Sequence, residues 1–266
     1  MQLGRFLSWP RHGIDYGEYL RLRRLPPQTP TITRLYGRPL AILDAISFLS
    51  LVDQIFNRRV YATRMSGPAP LVIDGGANIG LSVLYFKRLY PHCRVIAFEP
   101  DPAAFAALRY NVESFALKAV ELHERALWTA ETELDFSAFS DLSGRVVAPQ
   151  TANTTTVQAV RLRDWLHEPV ALLKLDIEGA ETAVVVDCAD RLGLDEPAFI
   201  EYPSFANAPQ SLHRLLTTLS EASLRYQIRE EYGAPAPLIE QPTRLGMDMQ
   251  LDIYAYRPKE VTPYAP

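Results

Sequence analysis

Short apolar runs alternate with stretches of helical periodicity from residue 71 onward. Residues 71–73 form an apolar run that ends at Asp74, residues 79–89 repeat apolar side chains at helical spacing, and residues 94–98 form the next apolar run. Apolar runs between helical segments are typical of parallel strands that helices cover on both faces. The pattern therefore predicts an α/β fold with a doubly wound, mostly parallel sheet.

The same alternation continues along the chain. Asp101 followed by Pro102 is typical of a helix N-terminus and predicts a helix to about residue 115. Further strands are predicted over residues 120–123, 170–175, 198–201, 225–229 and 250–256, with helices over 179–191 and 210–222. Residues 131–160 interrupt the alternation and predict an inserted hairpin, with strands at 132–136 and 154–160. The first 30 residues predict a loosely attached arm, and residues 31–61 a segment that packs on the sheet.

Composition narrows the class of protein. The 266 residues include 27 Lys and Arg against 31 Asp and Glu, so bulk charge gives no basis for binding nucleic acid. Two cysteines are too few for a disulfide framework and lack the spacing of a zinc site. The apolar runs fall short of the roughly 18 residues that a membrane span needs, and we expect a cytoplasmic protein.

A glycine-rich turn follows the first strand of the sheet. Residues 72–80 read VIDGGANIG, which places a strand end, a turn and a helix start in succession. A phosphate-binding P-loop needs lysine where Leu81 stands, and the dinucleotide pattern GxGxxG needs glycine where Ala77 stands. The pattern that fits is D-x-G-x-N-x-G, with Glu99 at the end of the next strand.

This pattern predicts a site for S-adenosylmethionine. The backbone N–H groups of the turn and the helix start favour the carboxylate of the ligand, and the carboxylate of Glu99 would accept both ribose hydroxyls. We expect Asp74 to face the ligand's ammonium group or an ordered water, and Leu127 to lie near the adenine. The predicted cofactor-binding residues are Asp74, Gly75, Gly76, Ala77, Asn78, Gly80, Glu99, Pro100, Asp101 and Ala126.

A second group of charged residues follows the strand at 170–175. Lys174 and Asp176 share one face of an otherwise apolar strand, Glu178 lies just beyond it, and Glu201 ends the neighbouring strand. Ligands of open α/β sheets bind at the carboxyl ends of the strands, so these residues should border the same crevice as the glycine turn. We predict Asp176, Glu178 and Lys174 as catalytic residues. A structural network of Lys174 with Asp176 or Asp74 is the alternative.

Three segments together resemble the FkbM-type family of S-adenosylmethionine-dependent methyltransferases. They are residues 72–80, the FEPDP segment at 98–102 and KLDIEGAE at 174–181, and residues 54–61 resemble the family's upstream segment, with Gln54 where glutamate is common. The resemblance implies a class I (Rossmann-like) methyltransferase fold with a seven-stranded sheet and methylation of a hydroxyl on a sugar, glycan or polyketide-like acceptor. Similar sequences often carry histidine where this chain has Pro203, so no role of such a histidine transfers.

The resemblance also organises the chain into three parts. We expect an N-terminal arm and cofactor-lid segment over residues 1–66, a methyltransferase domain over 67–258 and a tail over 259–266. The expected reaction is O-methyl transfer with Asp176 or Glu178 as the base, to a small-molecule or saccharide acceptor. Two alternatives stay open, namely a Mg²⁺-assisted enzyme that uses Asp176 and Glu201, and a non-catalytic nucleoside-binding partner subunit. No metal ligand set is predicted, and the sequence leaves a homo-oligomer open.

Overall fold

The computed structural model describes residues 13–138, 144–146, 155–192 and 197–257. The first half of these contains α1 (Tyr16–Leu22), β1 (Thr31–Leu35), β2 (Arg38–Ile42), α2 (Ala45–Val52), a π-helix (Asp53–Asn57), β3 (Leu71–Gly75), α3 (Leu81–Leu89), β4 (Arg94–Phe98), α4 (Pro102–Ser114) and β5 (Val120–His123). The second half contains β6 (Ala126–Trp128), β7 (Thr132–Ala138), β8 (Gly144–Val146), β9 (Thr155–Arg161), a 3-10 helix (Leu162–Trp165), β10 (Leu172–Leu175), α5 (Glu181–Asp187), β11 (Ala198–Phe205), α6 (Leu212–Glu221), β12 (Arg225–Gly233) and β13 (Met247–Tyr256).

Seven strands form the central sheet in the order β12-β13-β11-β10-β3-β4-β5. The pairs from β11 to β5 are parallel, whereas β13 runs antiparallel to both β11 and β12. The predicted seven-stranded, mostly parallel sheet is confirmed. Strand order reverses between β3 and β10, and the carboxyl ends of β3, β4 and β10 meet beside this switch point. A crevice at such a point is where doubly wound folds bind ligands.

The two faces of the sheet have separate cores because successive side chains of a strand point to opposite faces. Val72 packs with α3, α4 and the N-terminal elements, whereas Ile73 packs with α5 and α6. Both side chains are fully buried. Burial of one such aliphatic side chain contributes roughly 1.5–3 kcal/mol, so these strands are held from both sides.

The start of α4 shows how local sequence sets an element's bounds. The carboxylate of Asp101 accepts a hydrogen bond from the N–H of Ala104 at 2.8 Å, and Pro102 occupies the first turn. This is the N-terminus that the sequence predicts. By contrast α3 begins at Leu81 rather than at residue 79, because Gly80 is left-handed at φ 88° and no side chain caps the helix.

The stretch predicted as an inserted hairpin forms a larger structure. Strands β7 and β9 pair antiparallel, as predicted, but β6 and β8 join them in a separate four-stranded sheet of order β6-β9-β7-β8. The short strand β6 was not predicted because three residues give too little periodicity to recognise. It matters for the site, since it carries Ala126 and Leu127 to the end of the central sheet.

The N-terminal segment is attached more firmly than its composition predicts. Ile14, Tyr19 and Leu22 are buried at 4 % exposure or less, and they share one core with α2, α3 and the central sheet. The prediction of a loose arm is therefore wrong for residues 14–22, because apolar side chains spaced along α1 pack inward. Residues 1–12 of the predicted arm and the whole predicted tail, residues 259–266, lie outside the described residues. The domain boundary at residue 66 stays a prediction.

Both cysteines, Cys93 and Cys188, are buried and free. The described ranges contain no helix with the length and apolar character that crossing a bilayer requires.

Candidate active site

A cavity of about 550 Å³ opens at the carboxyl ends of the central strands. Because β3 lies between β4 and β10 in the sheet, the end of β4 borders one half of the cavity and the ends of β10 and β11 border the other. The turn after β3, α2, the π-helix, β6 and four residues at or just before the start of β13 complete the lining. The glycine turn and the carboxylate group therefore border one cavity, as predicted.

The backbone N–H groups of the turn after β3 are engaged within the protein. Those of Gly76 and Ala77 both donate to the carbonyl of Phe98 at 3.0 Å, and that of Gly80 donates to the carbonyl of Ala77 at 2.8 Å. The predicted capture of an anion by the turn itself is thus wrong for these three groups. The uncapped first turn of α3, where Leu81 and Ser82 line the cavity, is the anion-attracting element that remains.

The glycines of the turn serve close packing between protein segments. A Cβ on Gly76, which has φ +75°, would lie 1.8 Å from the carbonyl oxygen of Asp176. A Cβ on Gly80 would lie 2.6 Å from a methyl group of Leu108. Gly76 borders the cavity, whereas Gly75 and Gly80 do not.

Glu99 lies at the end of β4 and lines the cavity with Pro100 and Asp101. Its Oε2 accepts the N–H of Asn78 at 2.7 Å and its Oε1 accepts the N–H of Asp101 at 2.9 Å. Burial raises the pKa of Glu99 to about 7, although both hydrogen bonds favour the ionised form. Glu99 therefore fixes the shape of the turn and also presents a carboxyl group to the cavity. Ala126 and Leu127 line the same cavity.

Asp74 lies behind the cavity wall. Its side chain is fully buried, Ser82 Oγ donates to its Oδ2 at 2.5 Å, and Lys174 Nζ lies 3.0 Å from its Oδ1. Asp74 does not line the cavity. The prediction that it contacts the cofactor is corrected, because the lysine and the serine already occupy the carboxylate.

Lys174 connects this buried carboxylate to the cavity. Its Nζ donates to the carbonyls of Gly75 at 3.0 Å and Gly76 at 2.9 Å, and it lies 3.7 Å from Oδ2 of Asp176. Burial lowers the pKa of Lys174, but the charges of Asp74 and Asp176 outweigh burial and leave that pKa raised. The ammonium thus stays charged, and its contacts are those of the structural network that the sequence left open.

Three carboxyl groups gather at the ends of β10 and β11. Oxygens of Asp176, Glu178 and Glu201 all lie within 4.8 Å of one another. Gln250, from β13, donates its Nε2 to Oε1 of Glu201. Burial raises the pKa values of Asp176 and Glu201; Lys174 opposes the rise for Asp176, and the charge of Asp176 adds to it for Glu201. The sequence predicted that these three residues border one crevice, and the fold brings their carboxyl oxygens within 4.8 Å of one another.

A turn with left-handed backbone places Glu178 beside the carboxyl groups of Asp176 and Glu201. The φ of Glu178 is 58° and that of Gly179 is 105°, both in the left-handed region. The buried carboxylate of Glu181 holds this turn, since it accepts the N–H groups of Ile177 at 2.8 Å and Gly179 at 2.9 Å. Left-handed backbone at a non-glycine residue costs of order 1 kcal/mol or more and is enriched at functional sites.

Two amides that line the cavity were not among the predicted site residues. Gln54 lies in the π-helix and Gln250 at the start of β13, and both line the cavity. Glutamine in an amphipathic segment reads as a surface residue, so nothing in the local pattern marked Gln250. A π-helix is often found at functional sites, but its extra residue per turn cannot be recognised in the sequence.

Comparison with known proteins decides the family. The sequence model of the methyltransferase FkbM domain matches residues 74–228. The chain belongs to the FkbM-type methyltransferase family. It is 28 % identical over 177 residues to Methyltransferase 1 of Beauveria bassiana. The aligned region covers 57 % of this chain and 70 % of the relative. It is 27 % identical over 166 residues to the 2-O-methyltransferase NoeI of Sinorhizobium fredii, covering 54 % and 68 %, respectively.

Other comparisons agree with this membership. The chain is 27 % identical over 191 residues to the 31-O-demethyl-FK506 methyltransferase FkbM of Streptomyces tacrolimicus, covering 58 % of this chain and 74 % of the relative. The crystal structure of M. jannaschii TYW2 in complex with AdoMet shares the fold with a TM-score of 0.51 at 15 % identity, covering 88 % and 89 % of the two chains. The FkbM-type chain described here is thus an S-adenosylmethionine-dependent methyltransferase with the predicted Rossmann-like fold.

The cavity of this FkbM-type enzyme suits that cofactor. A carboxyl group lies at the end of β4, an uncapped helix N-terminus borders the same space, and apolar side chains of β6 face it. These are the groups that a ribose diol, a carboxylate and an adenine ring require.

Proposed function

We propose that this methyltransferase transfers the methyl group to a hydroxyl oxygen of a sugar, glycan or polyketide-like acceptor. The observation that carries the proposal is the cluster of three carboxyl groups of Asp176, Glu178 and Glu201. This cluster lines the same cavity as Glu99. A hydroxyl acceptor needs a base within hydrogen-bond reach, and the half-buried carboxyl groups of Asp176 and Glu201, whose pKa values are raised, can supply one. Two relatives are named as 2-O and 31-O methyltransferases, which supports oxygen as the acceptor atom.

The half of the cavity that includes Glu99 is the proposed cofactor site. Glu99 accepts the ribose hydroxyls, while Pro100, Asp101, Ala126 and Leu127 surround the adenine. Gly76, Ala77 and Asn78 form the wall beside the ribose, and the first turn of α3 attracts the carboxylate of the cofactor. Three of the predicted residues lie outside the cavity lining and position this wall, namely Asp74, Gly75 and Gly80.

The other half of the cavity is the proposed acceptor site. When bound, S-adenosylmethionine supplies a methyl group on a sulfonium, which is already activated for transfer. Asp176 accepts the hydroxyl proton as the new oxygen–methyl bond forms, and Lys174 holds the Asp176 carboxylate in place. Alignment within the cavity supplies most of the rate, since proximity effects reach several kcal/mol, and the base adds about 10²–10⁴-fold.

A Mg²⁺-assisted reaction is the second candidate, and one specific observation favours it. The sequence indicated only Asp176 and Glu201 as oxygen ligands, too few to hold Mg²⁺ well, whereas the fold adds Glu178 within 4.8 Å of both. Under this alternative a chelator abolishes activity, Mg²⁺ restores it, and Glu201→Gln is nearly as damaging as Asp176→Asn. We propose the metal-free reaction because the ammonium of Lys174, 3.7 Å from Oδ2 of Asp176, already balances the charge of that carboxylate.

Methyl transfer from labelled S-adenosylmethionine to a panel of saccharides, nucleotide sugars and hydroxylated lactones tests the proposal. The wild type is expected to label at least one hydroxylated acceptor, with and without chelator. Glu121→Gln is the control for the carboxylate substitutions, because Glu121 is an exposed carboxylate on β5, the edge strand of the sheet away from β10 and β11. A protein that binds the cofactor and labels none of the acceptors would instead support a non-catalytic partner subunit.

A further inference from the structure

Asp176 and Glu201 lie side by side on adjacent parallel strands. Leu175 of β10 pairs with Ile200 of β11, so the next residues, Asp176 and Glu201, stand at neighbouring positions of the sheet. Their carboxyl oxygens lie within 4.8 Å of each other, and both residues line the acceptor half of the cavity. Two carboxyl groups are thus available to one acceptor molecule.

The carboxyl groups of Asp176 and Glu201 have different neighbours within the protein. Asp176 lies 3.7 Å from the ammonium of Lys174, which favours its ionised form. Glu201 receives a hydrogen bond from the neutral amide of Gln250 on its Oε1, which leaves Oε2 for a ligand in the cavity. Burial and the charges of Asp176, Glu178 and Asp252 disfavour the ionisation of Glu201, whereas Lys174 and the amide of Gln250 favour it. The neighbouring pair therefore contains one carboxyl group beside a cation and one that is held by a neutral amide.

We propose that the acceptor is a vicinal diol, in which Asp176 receives the proton of the hydroxyl that is methylated and Glu201 binds the adjacent hydroxyl. This inference rests on the proposed function and names its substrate class. The oxygen–methyl bond forms, the methyl–sulfur bond breaks with its electron pair left on sulfur, and the proton passes to Asp176. Glu201 takes no part in the proton transfer and acts as a specificity-determining residue.

A saccharide or a ring with adjacent hydroxyls satisfies both carboxyl groups, and a lone alcohol does not. An acceptor with a single hydroxyl would shield Glu201 from water. It would offer no second hydroxyl to form a hydrogen bond with Oε2 of Glu201. Leaving a buried polar group unsatisfied lowers transition-state binding by about tenfold to a hundredfold. An acceptor that is itself a carboxylate is disfavoured, because three acidic side chains meet at this point.

Rates with matched probes test the inference in the full-length protein. The probes are cis- and trans-cyclohexane-1,2-diol, methyl α-D-mannopyranoside and cyclohexanol, each with labelled S-adenosylmethionine. We expect at least one diol to react with kcat/KM at least tenfold above that of cyclohexanol. Glu201→Gln should reduce this ratio by tenfold or more, mainly through KM for the diol. Glu121→Gln is the control and should leave the ratio unchanged, since Glu121 is exposed on β5 and does not line the cavity.

Three outcomes would overturn the diol proposal. They are a cyclohexanol rate that equals the diol rates, an undiminished diol preference in a folded Glu201→Gln variant, and no methylation of any diol probe. The proposed function has a separate readout. If labelled methyl groups reach other hydroxyls of the acceptor panel, O-methyl transfer stands while the diol proposal fails, and if no hydroxyl is labelled both fail.

Discussion

Lys174 and Asp74 form a buried ion pair in which Nζ lies 3.0 Å from Oδ1. The side chains are 2 % and 0 % exposed, and they join β10 to β3 at the switch point of the sheet. Because the same ammonium donates to two carbonyls of the glycine turn, the pair sets the position of the cofactor wall relative to Asp176.

Removal of the lysine should cost much of the stability of the domain. Lys174→Met leaves Asp74 buried without its counter-charge, which is expected to lower the free energy of unfolding by about 3–5 kcal/mol. Urea unfolding followed by circular dichroism measures this change. Arg94→Ala is the control, because Arg94 pairs with Glu168 at an exposed site and its loss should cost less than about 1 kcal/mol. Equal effects of the two substitutions would show that the buried pair is not structural.

Loss of the Glu99 carboxyl group should weaken cofactor binding. Glu99→Ala is expected to reduce the affinity for S-adenosylhomocysteine by about 1.5–3 kcal/mol, the scale of hydrogen bonds to a charged group. It should also reduce stability, since Glu99 accepts two backbone N–H groups of the turn. Calorimetric titration at a temperature where the variant is folded separates the two effects, with Glu121→Ala as control. Unchanged affinity would remove Glu99 from the ribose site.

The buried carboxyl of Glu181 should make stability fall as pH rises. Burial raises the pKa of Glu181 to about 8, whereas an unfolded glutamate has a pKa near 4.5. The folded state therefore binds more protons between these values, so the unfolding free energy declines from about pH 4.5 to about pH 8. Glu181→Gln should flatten this slope in urea titrations at several pH values. An identical slope in the variant would assign the pH dependence to other groups, such as Glu99 or Asp252.

The segment from Phe48 to Tyr61 should become more protected when the cofactor binds. It contains the end of α2 and the π-helix, and its residues Ser50, Leu51 and Gln54 line the cavity. Closure of this segment over the ligand is expected to slow amide hydrogen exchange on addition of saturating S-adenosylhomocysteine. Strand β9, in the separate sheet, should exchange at the same rate in both states. Unchanged exchange in residues 48–61 would contradict a lid.

Much of the central fold was predictable because its signals are local. The structure has β4 and β5 at the predicted residues, since each is a short segment between turns, and α4 starts where Asp101 and Pro102 predict. Strand β11 was predicted too short. It continues to Phe205 because its second half pairs with β13, and that pairing depends on residues about fifty positions away.

The chemistry of the site was predictable in kind but not in detail. The sequence placed Asp176 and Glu201 at neighbouring strand ends, yet the third carboxylate depends on the left-handed turn at Glu178. The roles of Asp74 and of the turn's N–H groups were misjudged for a related reason. Their partners, Lys174 and the Phe98 carbonyl, lie on other strands, and only the folded register shows that they are already bound.

The central claim is that the protein moves a methyl group from S-adenosylmethionine to an acceptor hydroxyl with Asp176 as the base. The most direct measurement uses S-adenosylmethionine with a ¹³C-labelled methyl group and the acceptor panel, with the product followed by carbon NMR. The account predicts a methyl carbon bonded to oxygen, formation that persists with chelator, and a loss of about 10²-fold or more in Asp176→Asn at nearly unchanged cofactor affinity. A methyl group on nitrogen or carbon, or full activity in Asp176→Asn, would contradict it.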